Sequence, residues 1–358
     1  MDIISAIDKK IGEVRTESLD LSVGELIALH QSQELVIQPD FQRLFRWSKE
    51  QRSRLIESML LELPIPSIFV IERENGVLEL IDGLQRISSL IQFVNHSALD
   101  LERLSLVGCD LVPELNDQGF DDLPLSLRLR LKRTGVRTVI IKRQSSQFLR
   151  YEMFKRLNTG GADLSEQDIR NVNARMLGES GIAFYDFIAK CAQNASFSAT
   201  IELLPASSIE ARGHEELVLR FFAAKNFRTK FKGSISDWLD GYMEAILLSR
   251  EAFDFDSEFT LFDRIFGELS RLFGPYAFVK HRGGTPMGGV APAYFEAVTI
   301  GCLQSIDRIA LLQPERAKAV LASTVESAQF REVTGPGANS MPKMERRIQI
   351  VSEAFANA

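Results

Sequence analysis

The sequence predicts an α+β chain: a small mixed or antiparallel sheet with helices, followed by a mostly α-helical C-terminal region. Three observations predict it. Apolar runs of strand length fall at 67–71, 77–81 and 136–141, all in the first half of the chain. The Asn75-Gly76 pair between the first two is a hairpin signal and makes them antiparallel partners. From Ser165 onward the apolar residues recur at helical spacing, broken only by short Gly- or Pro-containing pieces. The expected division is a 1–164 α/β domain and a 165–358 helical domain.

Each element has a local reason. Ser22-Val-Gly-Glu25 is a capping box, with Leu21 and Leu26 placed as a hydrophobic staple, so a helix starts there. A short strand, Glu34–Gln38, is closed or made an edge by Pro39. Gln42, Arg43 and Arg46 then lie in a loop before a second helix. That helix is capped by Ser48-Lys-Glu-Gln51, buries Leu55, Ile56, Met59 and Leu60, and stops at Pro64 and Pro66. Trp47 reads as a packing anchor, with a base-stacking platform as the other reading. After the hairpin comes Asp82-Gly83, turn chemistry in which Gly tolerates positive φ. From Leu84 the positions Ile87, Leu90, Ile91 and Val94 fall at helical spacing, which puts Gln85 and Arg86 in a first helical turn. The free N–H groups there favour an anion, so an Arg at that place makes sense beside a phosphate or carboxylate; the plainer reading is a surface Arg at an ordinary junction.

Residues 96–124 are poorly patterned and read as an insertion or variable connection. Leu125 to Tyr151 carries no acidic residue but holds Arg128, Arg130, Lys132, Arg133, Arg137, Lys142, Arg143 and Arg150. It faces either a nucleic-acid backbone or simply solvent. Gln147–Leu157 is helical and ends in Asn158-Thr159-Gly160-Gly161, a Gly-rich cap between two helices that lacks the G-x-x-x-x-G-K-[ST] pattern of a P-loop. Further helices are expected at 165–176, 180–193, 213–225, 234–250, 258–273, 291–308, 314–327 and 342–356. Arg282–Gly289 and Thr334–Ser340, the latter followed by Lys343, Arg346 and Arg347, read as flexible connections or phosphate loops.

Composition narrows the function classes. With 45% hydrophobic and 25% charged residues, the 358-residue chain has the make-up of a soluble globular protein. Its N-terminus lacks the basic-then-apolar order of a signal peptide, and no apolar run approaches a membrane span, so a cytoplasmic location is expected. Three scattered cysteines and four scattered histidines form no zinc spacing and no His-Asn-His nuclease arrangement. A formal charge of −6 argues against a generic polyanion binder but allows a local basic groove.

Three blocks carry a resemblance: Pro39-Asp-Phe41-Gln42-Arg43-Leu-Phe-Arg46-Trp47, Asp82-Gly83-Leu84-Gln85-Arg86, and Phe154-Lys-Arg-Leu157-Asn158-Thr159-Gly160-Gly161. In order and spacing they resemble the P-x-F-Q-R-x-x-x-W, D-G-Q-Q-R and F-x-R-[IL]-N-T-G-G blocks of the GmrSD-type N-terminal domain family (domain of unknown function 262). Leu84 departs from the pattern, standing where the family has the first Gln. The resemblance is strong over 35–170. It implies a ParB/sulfiredoxin-like nucleotide-binding fold in which a Gly-x-x-Arg turn holds phosphates, here Gly83 to Arg86. Arg86 would pair with phosphate, and Asp82 would hold Mg²⁺ or orient an attacking water. Gln85 would position that water or read the nucleotide. Gln42, Arg43 and Arg46 would add donors, and Asn158, Thr159 and Gly160 would close the site.

The expected function is that of a nucleotide-binding protein and Mg²⁺-dependent NTP hydrolase of a modification-dependent restriction or antiphage system. It would lack its own His-Asn-His nuclease domain, and the base (ATP, GTP or CTP) is left open. Its partners would be the nucleotide, DNA and a separately encoded nuclease or defence subunit, with no membrane and with self-association possible. Two rivals stand beside it: a DNA-binding or DNA-nicking protein using the 125–151 stretch, and a non-catalytic interaction module.

Overall fold

The computed structural model describes residues 2–4, 7, 15–37, 47–145, 153, 165–175, 177, 179–335 and 337–358. They belong to two compact units, Met1–Asp163 and Leu164–Ala358. The architecture is α+β, with the sheet in the first unit and a helical second unit.

In the first unit β1 (Thr16–Ser22) leads into α1 (Val23–Gln31), β2 (Leu35–Val36), α2 (Lys49–Leu60), β3 (Ile68–Glu72), β4 (Leu78–Asp82), α3 (Leu84–Asn95), α4 (Leu125–Arg133) and β5 (Gly135–Ile141). The strands form one mixed sheet in the order β1-β5-β3-β4-β2. β1–β5 and β3–β4 pair antiparallel; β5–β3 and β4–β2 pair parallel. The caps lie where the local sequence puts them. Ser22 Oγ accepts from the Glu25 amide at 3.1 Å, and Ser48 and Gln51 exchange both bonds of a capping box. Each helix then turns its apolar stripe to the sheet: Leu26 from α1, Ile56 and Met59 from α2, Ile87 and Ile91 from α3, and Leu131 from α4, against Val70, Leu80, Val136 and Ile140. Each such side chain contributes about 1.5–3 kcal/mol.

Several expectations need correction. β1 was not foreseen; it is mostly exposed and carries charge, so its pattern is weak. The 34–38 strand is cut to Leu35–Val36 among the described residues. The expected hairpin forms through Glu74-Asn75-Gly76: Gly76 N donates to Arg73 O, Arg73 N donates to Val77 O, and Gly76 sits at φ +82. That is a three-residue loop with Gly in the left-handed position. Leu125–Arg133, read only as a basic run, is a helix whose alternating Leu and Arg imitate a strand.

Residues 96–124 are not a loose connection. They bury Leu104, Leu106, Cys109, Leu115, Phe120 and Leu123. Their backbone is held by side chains of α2 rather than by a ladder: Glu57 Oε1 accepts from the Leu111 and Val112 amides at 2.9 and 2.8 Å, and Ser53 Oγ accepts from Val107 at 2.9 Å. Such bonds leave no periodicity to read.

The second unit runs α5 (Glu166–Arg175), α6 (Glu179–Ala192), α7 (Ala195–Thr200), α8 (Ala206–Glu210), α9 (Gly213–Asn226), α10 (Ile235–Leu247), α11 (Phe255–Phe273), β6 (Lys280–Arg282), β7 (Thr285–Met287), α12 (Pro292–Leu303), α13 (Ile306–Ile309), α14 (Pro314–Glu326), α15 (Ala328–Thr334) and α16 (Met341–Ala356). The long helices match the expected ones to within a few residues. The expected 291–308 helix splits into α12 and α13, and the short α7, α8 and α15 were missed. Arg282–Gly289 is not a flexible loop: its first part is the turn of the β6–β7 hairpin, with Gly283 and Gly284 at φ +59 and +79. Two successive positive φ angles suit the twist of a two-residue hairpin.

Phenylalanine fills this core. Phe184, Phe197, Phe221, Phe222, Phe262, Phe266, Phe278 and Phe295 have no exposure. Most of their rings meet edge-on or tilted, Phe262 and Phe266 with centroids 4.4 Å apart, while Phe222–Phe262 and Phe266–Phe295 stack. Charges are buried beside them. Arg347 and Glu296 pair at 0% and 1% exposure. Arg220 joins Glu296 to Glu216, each at 3.0 Å. Arg170 joins Glu216 to Asp240 at 3.3 and 2.8 Å.

Candidate functional site

The Asp82 turn is built from three local features. β4 ends in an irregular pairing: Phe69 lies opposite Asp82 while Val70 lies opposite Leu80, so Ile81 is an extra residue. Such a bulge re-aims the side chain beside it. Gly83 follows at φ 101, ψ 15 as the N-cap of α3. A Cβ there would come within 2.5 Å of Ile68 Cγ2, so both conformation and close approach require glycine. α3 then starts with no side-chain cap and no acidic residue in its first turn. The first intrahelical bond is Ile87 N to Gly83 O. Among the described residues the positive end of the helix dipole therefore lacks the capping side-chain acceptor that Ser22, Ser48 or Asp254 supplies elsewhere.

Arg86 lies in that first turn, its side chain 15% exposed. Its Nη2 donates to Asp82 Oδ2 at 2.8 Å and to the Ser67 carbonyl at 3.1 Å. Its Nε is buried without a hydrogen-bond acceptor among the described residues. Asp82 is more open, at 34%. The two residues assigned to metal and phosphate are thus each other's partners here, a charge-assisted pair that closes over the turn. Gln85 Oε1 accepts from the Trp47 amide at 3.1 Å. That bond brings the residue following Arg46 to the start of α3. Trp47 itself packs partly buried against the core, as an anchor does. Neither the Ser67 carbonyl nor the Trp47–Gln85 link is legible in sequence, because both are backbone contacts between distant segments. Gln42, Arg43, Arg46, Asn158, Thr159 and Gly160 lie outside the described residues.

The donor set limits the metal chemistry. Among the described residues no group of three His, Cys, Asp or Glu could hold an ion. Asp82 alone would suit Mg²⁺ that keeps its waters and arrives on phosphates. The cysteines are buried, and burial pushes the thiols of Cys109 and Cys191 up to about 11 and 12. They are packing residues, inert as nucleophiles or metal ligands.

Part of the basic stretch is paired. Arg137 meets Asp20 at 3.0 Å. Lys142 meets Glu17 at 2.6 Å and Glu72 at 3.9 Å. Arg143 donates to the Glu74 carbonyl at 3.1 Å. In the second unit Arg347, which follows the 334–340 stretch read as a connection or phosphate loop, is fully buried against Glu296 and donates to the Ala338 carbonyl at 2.9 Å. No described helix is long and apolar enough to cross a membrane.

Residues 23–174 match the family model of the GmrSD restriction endonuclease, N-terminal domain. No curated protein and no solved structure matches the chain.

Proposed function

With residues 23–174 carrying the GmrSD restriction endonuclease N-terminal domain, we propose that this chain is the nucleotide-binding component of a restriction or antiphage system and hydrolyses a nucleoside triphosphate with Mg²⁺. One observation supports this most: α3 opens, uncapped, on a left-handed Gly83 with Arg86 in its first turn. Amides and a guanidinium directed to one spot suit a phosphate.

The Asp82–Arg86 pair suits a switch between two partner sets. Without nucleotide the carboxylate and guanidinium neutralise each other. When a phosphate binds, Arg86 exchanges the Asp82 carboxylate for phosphate oxygens, and Nε gains the acceptor it lacks. Asp82, released and already one-third exposed, is then available to a phosphate-borne Mg²⁺ and to the attacking water's proton. Mg²⁺ would supply neutralisation of phosphate charge. Gln85 stays on the Trp47 amide, and Gln42, Arg43 and Arg46 would add donors to the site. Asn158, Thr159 and Gly160 would close it. Positioning and charge neutralisation are what phosphoryl transfer needs most.

DNA binding by the 125–151 stretch ranks second, because Arg137 and Lys142 already have carboxylate partners. Phosphate release from each NTP, with Mg²⁺ and with or without DNA, tests the proposal. Arg86→Ala is expected to abolish nucleotide binding. Turnover unchanged in that variant would refute the assignment.

A further inference from the structure

We propose that a cleft in the second unit, between the β6–β7 hairpin and helices α12, α14 and α15, binds a small phosphate-bearing molecule of about mononucleotide size. Its volume is about 560 Å³, within the range of small-molecule sites. Lys280, His281, Arg282 and Arg331 line it, with Tyr294 and Met287 as an apolar wall.

The charge arrangement carries the argument. Five arginines that this unit buries or half-buries, Arg170, Arg212, Arg220, Arg228 and Arg347, each meet a carboxylate. Lys280, Arg282 and Arg331 meet none among the described residues, although they surround one cleft. Three like charges around one space repel unless an anion sits between them. The nearby acid, Glu326, is taken by the backbone, its Oε1 accepting from the Gly284 amide at 2.8 Å. Burial also holds the His281 pKa below its ordinary value, and an adjacent anion would reverse that direction.

The walls are fixed rather than loose. The paired strands and the Gly283-Gly284 turn set Lys280 and Arg282 on one rim. Tyr294 is buried and packs edge-on against Phe330 at 5.0 Å. Gly288 and Gly335 line the cleft without side chains, which lets a ligand approach the backbone. Phosphate would take the cations, and a ring or sugar would lie on Tyr294 and Met287. This cleft belongs to the second unit, and the Asp82 turn to the first.

Calorimetric titration of the whole chain with inorganic phosphate, ribose 5-phosphate and adenosine monophosphate tests it, using Lys280→Ala, Arg331→Ala and Arg86→Ala. The expected result is a binding step that weakens about tenfold or more in each of the first two variants, a loss typical of one charged contact, and that persists in Arg86→Ala, where only binding at the Asp82 turn is lost. Tighter binding of the two sugar phosphates than of phosphate would identify the apolar wall as part of the site. Absence of binding by all three probes would overturn the proposal. So would binding that Lys280→Ala and Arg331→Ala leave intact. Loss confined to Arg86→Ala would assign the binding to the Asp82 turn and likewise overturn it. Since the two cleft variants are exposed surface positions, an unchanged melting temperature checks their folding.

Discussion

At residue 83 a hydrogen atom stands where any other side chain would begin. An alanine there must hold φ near 101 and push Ile68 Cγ2 from 2.5 Å. The left-handed conformation costs about 1–2 kcal/mol and the overpacking about 1–3. Gly83→Ala is therefore expected to lower unfolding free energy by about 2–5 kcal/mol in urea, and to weaken nucleotide binding with it. A loss below about 0.5 kcal/mol would mean that the turn adapts freely. A second prediction at this scale concerns Asp254, the N-cap of α11. Its pKa is held low chiefly by the Ser257 amide, with the Asp256 amide adding to it. A carboxylate depressed by folding stabilises above its unfolded pKa, and that contribution fades as pH falls through the lower folded value. The stability gap between the wild type and Asp254→Ala is thus expected to be full at neutral pH and to shrink below about pH 4. A gap independent of pH would contradict this.

What the sequence discloses, and what it hides, separates at the level of the element. Ser22, Ser48, Asn75-Gly76 and Gly83 act on residues within four positions of themselves, so the helix starts, the hairpin and the Asp82 turn were legible. The 96–124 segment was not, because its order comes from Ser53 and Glu57 on a helix some 50 residues earlier. Helix α4 hid behind alternating Leu and Arg. Glu57 supplies a direct test. It is 3% exposed and accepts two backbone amides; leaving both unpaired costs about 1–3 kcal/mol each. In Glu57→Ala, amide hydrogen exchange at Leu111 and Val112 is expected to accelerate selectively while that of β5 holds. Uniform acceleration would show global destabilisation instead.

Across the whole molecule the two units keep their order by different means. The first buries aliphatic side chains against a sheet; the second buries a phenylalanine lattice threaded by ion pairs. Arg347 falls in the expected 342–356 helix, but nothing in the sequence marks it, Arg170, Arg220 or Glu296 as interior, since Arg and Glu on helices ordinarily face water. Breaking a buried pair leaves an uncompensated charge, at a cost of about 3–5 kcal/mol. Glu296→Gln leaves Arg347 without its carboxylate and Arg220 with Glu216 alone, and is expected to lower the melting temperature of the second unit; an unchanged transition would mean that the network is hydrated.

The central claim is that Asp82 and Arg86 exchange each other for a magnesium nucleotide. The most direct measurement is phosphate release from ATP, GTP and CTP by the wild type, Asp82→Ala and Arg86→Ala, each with a parallel binding titration. The account predicts turnover of one nucleotide by the wild type. Asp82→Ala should bind without turning over, and Arg86→Ala should do neither. Wild-type chain that neither binds nor hydrolyses any of the three, or an Arg86→Ala variant that still binds as tightly, would contradict it.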